Sequence, residues 1–161
     1  MRRLLGFILC CVVLSSCKKD DKGCSYTAST VVVPASEMAD LQTFINTYHP
    51  AAILHPGGFY YEINAAGTGT VTPTLCSYVA VKYAGCLSNG VKFTSPAEEN
   101  VGATYALGQL IVGWQRGLPL IKAGGSINLY LPPSLGYGAN ATGSIPPNSM
   151  LIFVIQMTDV Q

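Results

Sequence analysis

The stretch LGQLIVGW spans residues 107–114 and ends on Trp114, the one tryptophan of the chain. A second informative stretch, GSIPPNSMLIF, spans residues 143–153. Between them lie a Gly-Gly turn at 124–125, the segment SINLYL at 126–131 and the loop PPSLGYG at 132–138. In SINLYL the two sets of alternate residues face opposite ways, one of them apolar, as a half-buried antiparallel strand requires. The second half of the chain is therefore predicted to contain antiparallel strands.

The strand pattern extends outward from these motifs. Strands are predicted over 59–64, 77–87, 91–94, 126–131 and 150–160. The tripeptide Ser-Asn-Gly at 88–90 supplies the positive φ angles of a tight hairpin between two of them. One short helix is predicted over 113–121, and Pro119 should keep it short or bent. The pattern predicts an α+β fold in which a curved antiparallel β-sheet wraps around one short α-helix.

In this order the motifs resemble the FKBP-type peptidyl-prolyl cis-trans isomerases, from about Gly58 to Val160. The resemblance implies an FKBP-like fold, with residues 58–161 as the isomerase domain. It implies peptidyl-prolyl isomerase activity on proline-containing polypeptides, without a cofactor. Macrolide inhibitors, which are typical ligands of the family, are implied as well.

The resemblance also implies a site around Trp114. The proline ring of a substrate would lie on the indole face, and the backbone N–H of Ile111 would bind a peptide carbonyl. Tyr137 falls at the loop tyrosine of the family, whose hydroxyl can donate a hydrogen bond to the substrate carbonyl. The candidate catalytic residues are Tyr83, Phe93, Leu110, Ile111, Trp114, Tyr137, Ile145 and Phe153. Ordinary core packing is the alternative role of each aromatic residue.

Two positions depart from the family pattern. Thr94 stands where the family usually has an aspartate, so a carboxylate that helps to orient the site is missing. Ala103 stands where many members place a second pocket aromatic. The register of Glu98 and Glu99 is too uncertain to assign either as a substitute, and Tyr105 is assigned to the core. Reduced activity is therefore expected.

The leading hypothesis is an isomerase that assists protein folding in the bacterial cell envelope. The chain has two histidines, both in predicted loops, and offers no convincing Ser-His-Asp or Cys-His arrangement, which argues against a hydrolase. Two alternatives stay open. One is a non-catalytic module that binds proline-containing or unfolded segments as a chaperone. The other is a structural surface protein that reuses the fold with its cleft blocked.

The first residues predict a bacterial lipoprotein. Two arginines precede an apolar run over 4–14, and Leu-Ser-Ser-Cys follows, ending at Cys17. The run is shorter than the roughly 20 residues that a membrane-spanning helix needs. Residues 1–16 are therefore predicted to be a lipoprotein signal peptide, and residues 17–33 a tether whose lipidated Cys17 binds the membrane. An uncleaved anchor is the alternative.

Charge and sorting signals bear on location and partners. Lys18 follows the lipid cysteine, which by resemblance to sorting rules in Gram-negative cells favours the outer membrane. The periplasmic and cell-surface faces both stay open. The formal net charge of the chain is +1, and two arginines leave with the signal, so no basic surface for nucleic acid is expected.

An N-terminal helical extension is predicted over residues 34–57. Pro-Ala-Ser-Glu at 34–37 predicts a helix start, with Ser36 as the cap and Glu37 at the positive end. The helix should stop before Pro50. Its apolar stripe consists of Met38, Leu41, Phe44, Ile45 and Tyr48. The stripe is predicted to be a packing face, and a partner-binding helix is the alternative.

Besides the lipidated Cys17, three cysteines would remain in an oxidising compartment after cleavage, namely Cys24, Cys76 and Cys86. They allow one disulfide with three possible pairings, and leave a free thiol or an intermolecular link. The pairing of Cys24 with Cys76 is preferred, because it would pin the start of the folded region to the central sheet. Together with His49 and His55, these cysteines show no metal-ligand spacing, so no metal site is expected.

Overall fold

The computed structural model describes residues 24–161. The predicted signal peptide, Cys17 and the first part of the tether lie outside the described residues. The strands are β1 (Ile53–His55), β2 (Phe59–Ala65), β3 (Tyr78–Leu87), β4 (Ala103–Ala106), β5 (Ser126–Leu131) and β6 (Leu151–Val160). The α-helices are α1 (Ala35–Tyr48), α2 (Pro96–Asn100) and α3 (Val112–Gly117), with 3₁₀ turns at Leu107–Gln109, Leu118–Leu120 and Pro133–Leu135.

The six strands form one antiparallel sheet in the order β1-β2-β5-β6-β3-β4. Strand β5 has the predicted bounds and lies at the centre, paired with β2 and β6. Its residues Ile127, Leu129 and Leu131 are fully buried on the face that also holds Trp114. The predicted α+β fold is confirmed: an antiparallel sheet curves around the short helix α3.

The opposite face of the sheet is covered by α1. Because side chains alternate along a strand, Tyr130 of β5 and Tyr60 of β2 point away from the Trp114 face. Both tyrosines pack with Leu41 and Ile45 of α1, which are 0% and 2% exposed. The predicted packing role of the α1 stripe is therefore confirmed for most of its length. Tyr48 is the exception, since it is 67% exposed.

One predicted strand is wrong. Residues 91–94 do not form a strand and pair with β3 only through an isolated bridge from Lys92 to Cys86. Beyond that bridge, the hydroxyl of Thr94 accepts the N–H of Gly85 at 3.0 Å, so a side chain takes the place of a strand carbonyl. The partner of β3 on this side is instead β4.

The start of α1 also differs from the prediction. The N-cap residue is Pro34, not Ser36, and no side chain caps the helix. Glu37 lies in the first turn, as predicted, and its carboxylate accepts the N–H of Ser134 at 2.9 Å. Of the two histidines predicted to lie in loops, His49 follows α1, whereas His55 ends β1.

Helix α3 is short, as Pro119 predicts. The α-helical turn ends at Gly117 and continues as a 3₁₀ turn, in which Pro119 takes one of the first two positions.

No helix within residues 24–161 is long and apolar enough to cross a membrane.

Candidate active site

One cleft brings the eight candidate residues together. It has a volume of about 290 Å³ and lies between α3, the sheet and the loops after β4 and β5. Its lining consists of Tyr83, Phe93, Thr94, Glu98, Tyr105, Leu110, Ile111, Trp114, Tyr137, Ile145 and Phe153. Sequence reasoning named eight of these eleven residues as candidates and Thr94 as a departure from the family pattern, and it missed the lining roles of Glu98 and Tyr105.

Trp114 lies at the base of the cleft with the edges or faces of other aromatic rings around it. The ring centroids of Tyr83 and Phe153 lie 4.9 and 5.2 Å from that of Trp114, at interplanar angles of 90° and 86°. Phe93 meets Phe153 in the same way at 5.6 Å. Edge-to-face contacts are favourable because the positive ring edge meets the negative ring face. The aromatic side chains therefore hold one another in fixed orientations around the cleft.

Two glycines let α3 lie close to the sheet. A Cβ atom on Gly113 would come within 2.4 Å of Leu131, and one on Gly117 within 2.7 Å of Leu129. Side chains at these positions would push the helix outward. The glycines therefore set the depth at which Trp114 lies, and the indole is 3% exposed.

The loop before α3 is fixed by a side chain of the helix itself. The Gln115 amide donates to the carbonyl of Leu110 at 2.7 Å and to that of Gly108 at 3.3 Å. The carbonyl of Ile111 accepts the N–H groups of Trp114 and Gln115. Both Leu110 and Ile111 line the cleft, so α3 positions the rim of the cleft as well as its base.

The chain was compared with protein families and with solved structures. Residues 69–158 match the profile of the FKBP-type peptidyl-prolyl cis-trans isomerase family, which is more than half of the chain. The chain belongs to the FKBP family. A solved FKBP relative, the crystal structure of FkpA from Escherichia coli, aligns with a TM-score of 0.69 at 32% identity, over 79% of this chain and 58% of that one. The predicted FKBP-like fold is thereby confirmed.

Curated FKBP relatives are similar over the same part of the chain. The FKBP-type peptidyl-prolyl cis-trans isomerase FkpA of Buchnera aphidicola is 42% identical over 104 residues, which are 65% of this chain and 41% of the relative. The outer membrane protein MIP of Legionella longbeachae is 36% identical over 117 residues, which are 72% of this chain and 50% of the relative. The chain thus spans half or less of the length of these relatives.

A carboxylate lies in this FKBP cleft although position 94 holds threonine. Tyr83 donates a hydrogen bond to Glu98 Oε1 at 2.6 Å, and the backbone N–H of Ser95 donates to Glu98 Oε2 at 2.7 Å. The hydrogen bond from Tyr83 is the main reason why the pKa of Glu98 lies below its usual value. Burial and the Glu98 hydrogen bond raise the pKa of Tyr83. Glu98 is therefore an ionised acceptor that orients Tyr83.

Local sequence signals could have located Glu98. Ser95 and Glu98 form a capping box at the start of α2, and Pro96 lies in its first turn. The pattern Ser-x-x-Glu is typical of such a start, in which the glutamate turns back toward the cap. That geometry places Glu98 beside the segment that carries Phe93.

The position of Tyr105 could be assigned only once the register of β4 against β3 was known. It pairs with Val79, and Ala103 pairs with Val81, so both face the side of the sheet that holds the buried Val79 and Val81. The assignment of Tyr105 to the core is therefore incomplete, since the residue packs against the core and also lines the cleft.

Tyr137 also lines the cleft. Burial, and to a lesser extent the charge of Glu98, raises the pKa of its hydroxyl. The hydroxyl is therefore protonated at neutral pH and can donate a hydrogen bond. Within residues 24–161, no group of three or more His, Cys, Asp or Glu side chains could hold a metal ion.

Proposed function

We propose that this protein is a peptidyl-prolyl cis-trans isomerase that acts on proline-containing polypeptides and assists protein folding in the bacterial cell envelope. The observation that carries the proposal is the apolar cleft around Trp114, in which eight residues expected from the FKBP pattern lie together. Family membership supports the same activity.

The reaction needs no nucleophile. Rotation about the bond before proline is opposed by a barrier of roughly 18–20 kcal/mol, because twisting the amide removes its resonance. The twisted amide has a less charge-separated carbonyl than the planar amide. It therefore loses less hydration free energy when water is excluded. An apolar cleft with a few fixed donors therefore binds the twisted state more tightly. A millionfold acceleration needs about 8 kcal/mol of this differential binding.

Each lining residue then has a role. The indole of Trp114 supports the proline ring, and Tyr83, Phe93, Ile145 and Phe153 form the walls. The N–H of Ile111 binds a carbonyl of the peptide, and Leu110 shields the approach. The protonated hydroxyl of Tyr137 donates to the substrate carbonyl, while Glu98 keeps Tyr83 in place.

The size of the cleft suits a five-membered ring. An apolar protein cavity of about 150 Å³ can hold benzene, and this cleft has about 290 Å³. A proline ring and part of the neighbouring backbone can therefore enter together. The same volume argues against the structural protein with a blocked cleft.

A proline-isomerisation assay on the purified full chain in mild detergent tests the proposal. We expect acceleration that depends on protein concentration and that falls in the variant Trp114→Leu. A rate equal to the spontaneous one, from a protein whose circular dichroism shows an intact fold, would exclude catalysis.

A non-catalytic chaperone module is the second candidate, and Thr94 favours it. Because position 94 is threonine, it supplies no carboxylate to the cleft. Its hydroxyl instead accepts the N–H of Gly85 and donates to Glu99 at 3.2 Å. Peptide binding without acceleration would support this candidate. If Thr94→Asp then raises the isomerisation rate, the site is built for catalysis and weakened at position 94.

We also propose that Cys17 is lipidated and holds the protein at the outer membrane, with residues 34–57 and 58–161 as extension and isomerase domain. The lipoprotein-like start of the chain supports the anchor. Mass spectrometry of the protein from a Gram-negative host should find acyl chains on Cys17, and Cys17→Ala should release the protein from membranes. We propose macrolide inhibitors as ligands of the same cleft, and their competition with a proline peptide tests this proposal.

A further inference from the structure

Residues 24–33 form no helix or strand, yet they are held against the cleft domain at several points. We call this segment the N-terminal strap. It contacts Cys76 and Gly58, and it also contacts two elements of the candidate site, namely the loop that carries Leu110 and Ile111 and the helix α3 that carries Trp114.

The first attachment is the disulfide between Cys24 and Cys76, whose Cα atoms lie 5.5 Å apart. Cys76 is flanked by two residues that hold the start of the loop. The carbonyl of Leu75 accepts the N–H of Gly108, and the carbonyl of Ser77 accepts the N–H of Leu107, both at 2.9 Å. The disulfide therefore ties the strap to the backbone that anchors the loop.

The second attachment is the ring of Tyr26, which lies directly on Gly108. A Cβ atom on Gly108 would come within 2.3 to 2.7 Å of three atoms of that ring, so only glycine permits the contact. Gly108 also presents its carbonyl to the Gln115 amide. The ring of Tyr26 thus covers the loop just before Leu110.

The third attachment is Arg116, which lies two residues after Trp114 in α3. Its guanidinium donates to the strap carbonyls of Ser29 at 3.0 Å and Val31 at 2.8 Å. It also donates to the carbonyl of Gly57 at 2.7 Å. The guanidinium presents several N–H donors in a rigid planar fork, which lets one side chain bind three carbonyls. The strap is therefore joined to the helix that supplies the base of the cleft.

We infer that the N-terminal strap positions the cleft. Tyr26 and the strap carbonyls that bind Arg116 are fixed by the Cys24–Cys76 disulfide. They hold the Leu107–Ile111 loop and α3 in the geometry that binds substrate. The inference rests on the proposed function for its kinetic consequence. Its structural consequence is independent, because it concerns the environment of Trp114 and the affinity of the cleft. Tyr26 and Arg116 act as positioning residues and touch no substrate.

Opening the disulfide tests the inference without a mutation. Two thiols of dithiothreitol reduce the Cys24–Cys76 bond to two cysteine thiols, and the reagent becomes a cyclic disulfide. Because Trp114 is the only tryptophan, its emission reports directly on the cleft. We expect reduction of the full chain to shift this emission and to weaken binding of a proline tetrapeptide about tenfold, which is less than the roughly hundredfold loss of rate that a 1 Å misplacement can cause.

Variants separate positioning from stability. The double variant Cys24→Ser with Cys76→Ser should reproduce the effect of reduction and should not respond further to dithiothreitol. Cys86→Ser is the matched control, because Cys86 is the free cysteine among the described residues, and it should bind peptide like the wild type. Tyr26→Ala keeps the disulfide and should weaken peptide binding by severalfold. For an active wild type, kcat/KM should fall in parallel.

A purely stabilising strap gives different results. In that case reduction and Tyr26→Ala lower the melting temperature, while Trp114 emission, peptide affinity and kcat/KM stay unchanged well below the transition. That outcome would overturn the inference. An inactive wild type would refute the proposed function alone, since the emission and affinity measurements still decide the role of the strap.

Discussion

The two faces of the central sheet differ in how their most buried polar aromatic side chains are hydrogen-bonded. On the face covered by α1, buried tyrosines have hydrogen-bond partners. Tyr60 donates to Gln42, and Tyr130 donates to Glu62 at 2.6 Å. The hydroxyl oxygen of Tyr130 also lies 2.9 Å from His49 Nδ1. On the cleft face, the indole nitrogen of Trp114 is buried without a partner among residues 24–161.

A buried donor without an acceptor costs about 1–3 kcal/mol. Under α1 the buried tyrosines avoid that cost, and apolar residues of the helix cover them. The cleft face accepts it and keeps a hollow of about 290 Å³ instead of filling the space. The difference indicates that one face of the sheet serves stability and that the other serves binding. Proteins commonly depart from good packing and full hydrogen bonding at their functional sites.

The largest expected effect is on the closed face. Leu41→Ala should lower the free energy of unfolding by about 2–5 kcal/mol, because Leu41 is fully buried and the site cannot collapse completely. The isomerase kcat/KM of the folded protein should not change. Denaturant unfolding and kinetics at low temperature measure both quantities. Thr47→Ala, on the exposed side of the same helix, is the control. A parallel loss of kcat/KM would break the comparison.

The next largest effect is on the base of the cleft. Trp114→Leu should lower kcat/KM by at least about tenfold, equal to roughly 1.4 kcal/mol, because the proline ring loses its aromatic support. Trp114→Phe keeps an aromatic ring and should retain more activity. The assay is run below the unfolding transition of each variant. Unchanged kcat/KM in Trp114→Leu would mean that the indole only fills the core.

The carboxylate of Glu98 should matter less. Glu98→Ala removes the acceptor of the Tyr83 hydroxyl, and kcat/KM should fall about two- to tenfold, the worth of one hydrogen bond. Adding Thr94→Asp should recover part of the loss if a carboxylate at either position can orient Tyr83. Glu99→Ala is the control, since Glu99 pairs with Lys92 and accepts a hydrogen bond from Thr94 but does not line the cleft. Equal losses in both glutamate variants would contradict the assignment.

The pH profile sharpens the role of Glu98. Because its pKa is lowered from the usual 4.5 by the hydrogen bond from Tyr83, the carboxylate stays ionised through the neutral range. Its contribution to kcat/KM should be constant at neutral pH and should be lost only as the pH falls through that lowered pKa. In Glu98→Gln this acid limb should be absent.

Loss of the Tyr137 hydroxyl should have an effect of similar or smaller size. Tyr137→Phe keeps the ring and removes a donor, so kcat/KM should fall about two- to tenfold with little change in stability. Tyr78→Phe removes a hydroxyl from a 56% exposed residue and is the control. A fall in stability rather than in kcat/KM would place the Tyr137 hydroxyl in the structure and not in the reaction.

The smallest effect returns to the closed face. The hydrogen bond from Tyr130 lowers the pKa of Glu62 from its usual 4.5. A lowered pKa in the folded state stabilises the protein above the unfolded value, and the gain is lost as the pH falls through the folded value. Tyr130→Phe should therefore reduce stability at pH 7 by less than about 1 kcal/mol, with a smaller difference from the wild type near pH 3. Melting temperatures across this range test the sign.

Strand prediction succeeded where local alternation is coupled to burial. The segment 126–131 has both, and β5 has the predicted bounds. The segment 91–94 has the composition of a strand, but Thr94 uses its own hydroxyl to satisfy Gly85. Backbone pairing between distant segments decides such cases, and no local pattern records which partner a carbonyl or N–H will find.

The disulfide and the carboxylate of the cleft show the same limit. The sequence allowed three pairings of Cys24, Cys76 and Cys86, and the structure joins the first two because only the folded chain determines which sulfurs meet. Glu98 was visible as part of a capping box, but its contact with Tyr83 depends on how α2 lies against β3.

By itself, the order of residues predicted the α+β class through its alternation and carried the motifs whose resemblance implied the family, because alternation and motifs are properties of neighbouring residues. The same resemblance implied most of the cleft lining, without Glu98 and Tyr105. Only the tertiary structure decided that α1 closes one face, that Glu98 orients Tyr83 and that residues 24–33 lie against the loop and helix of the cleft. Those contacts join residues far apart in the chain, and their geometry is set by packing of the whole domain.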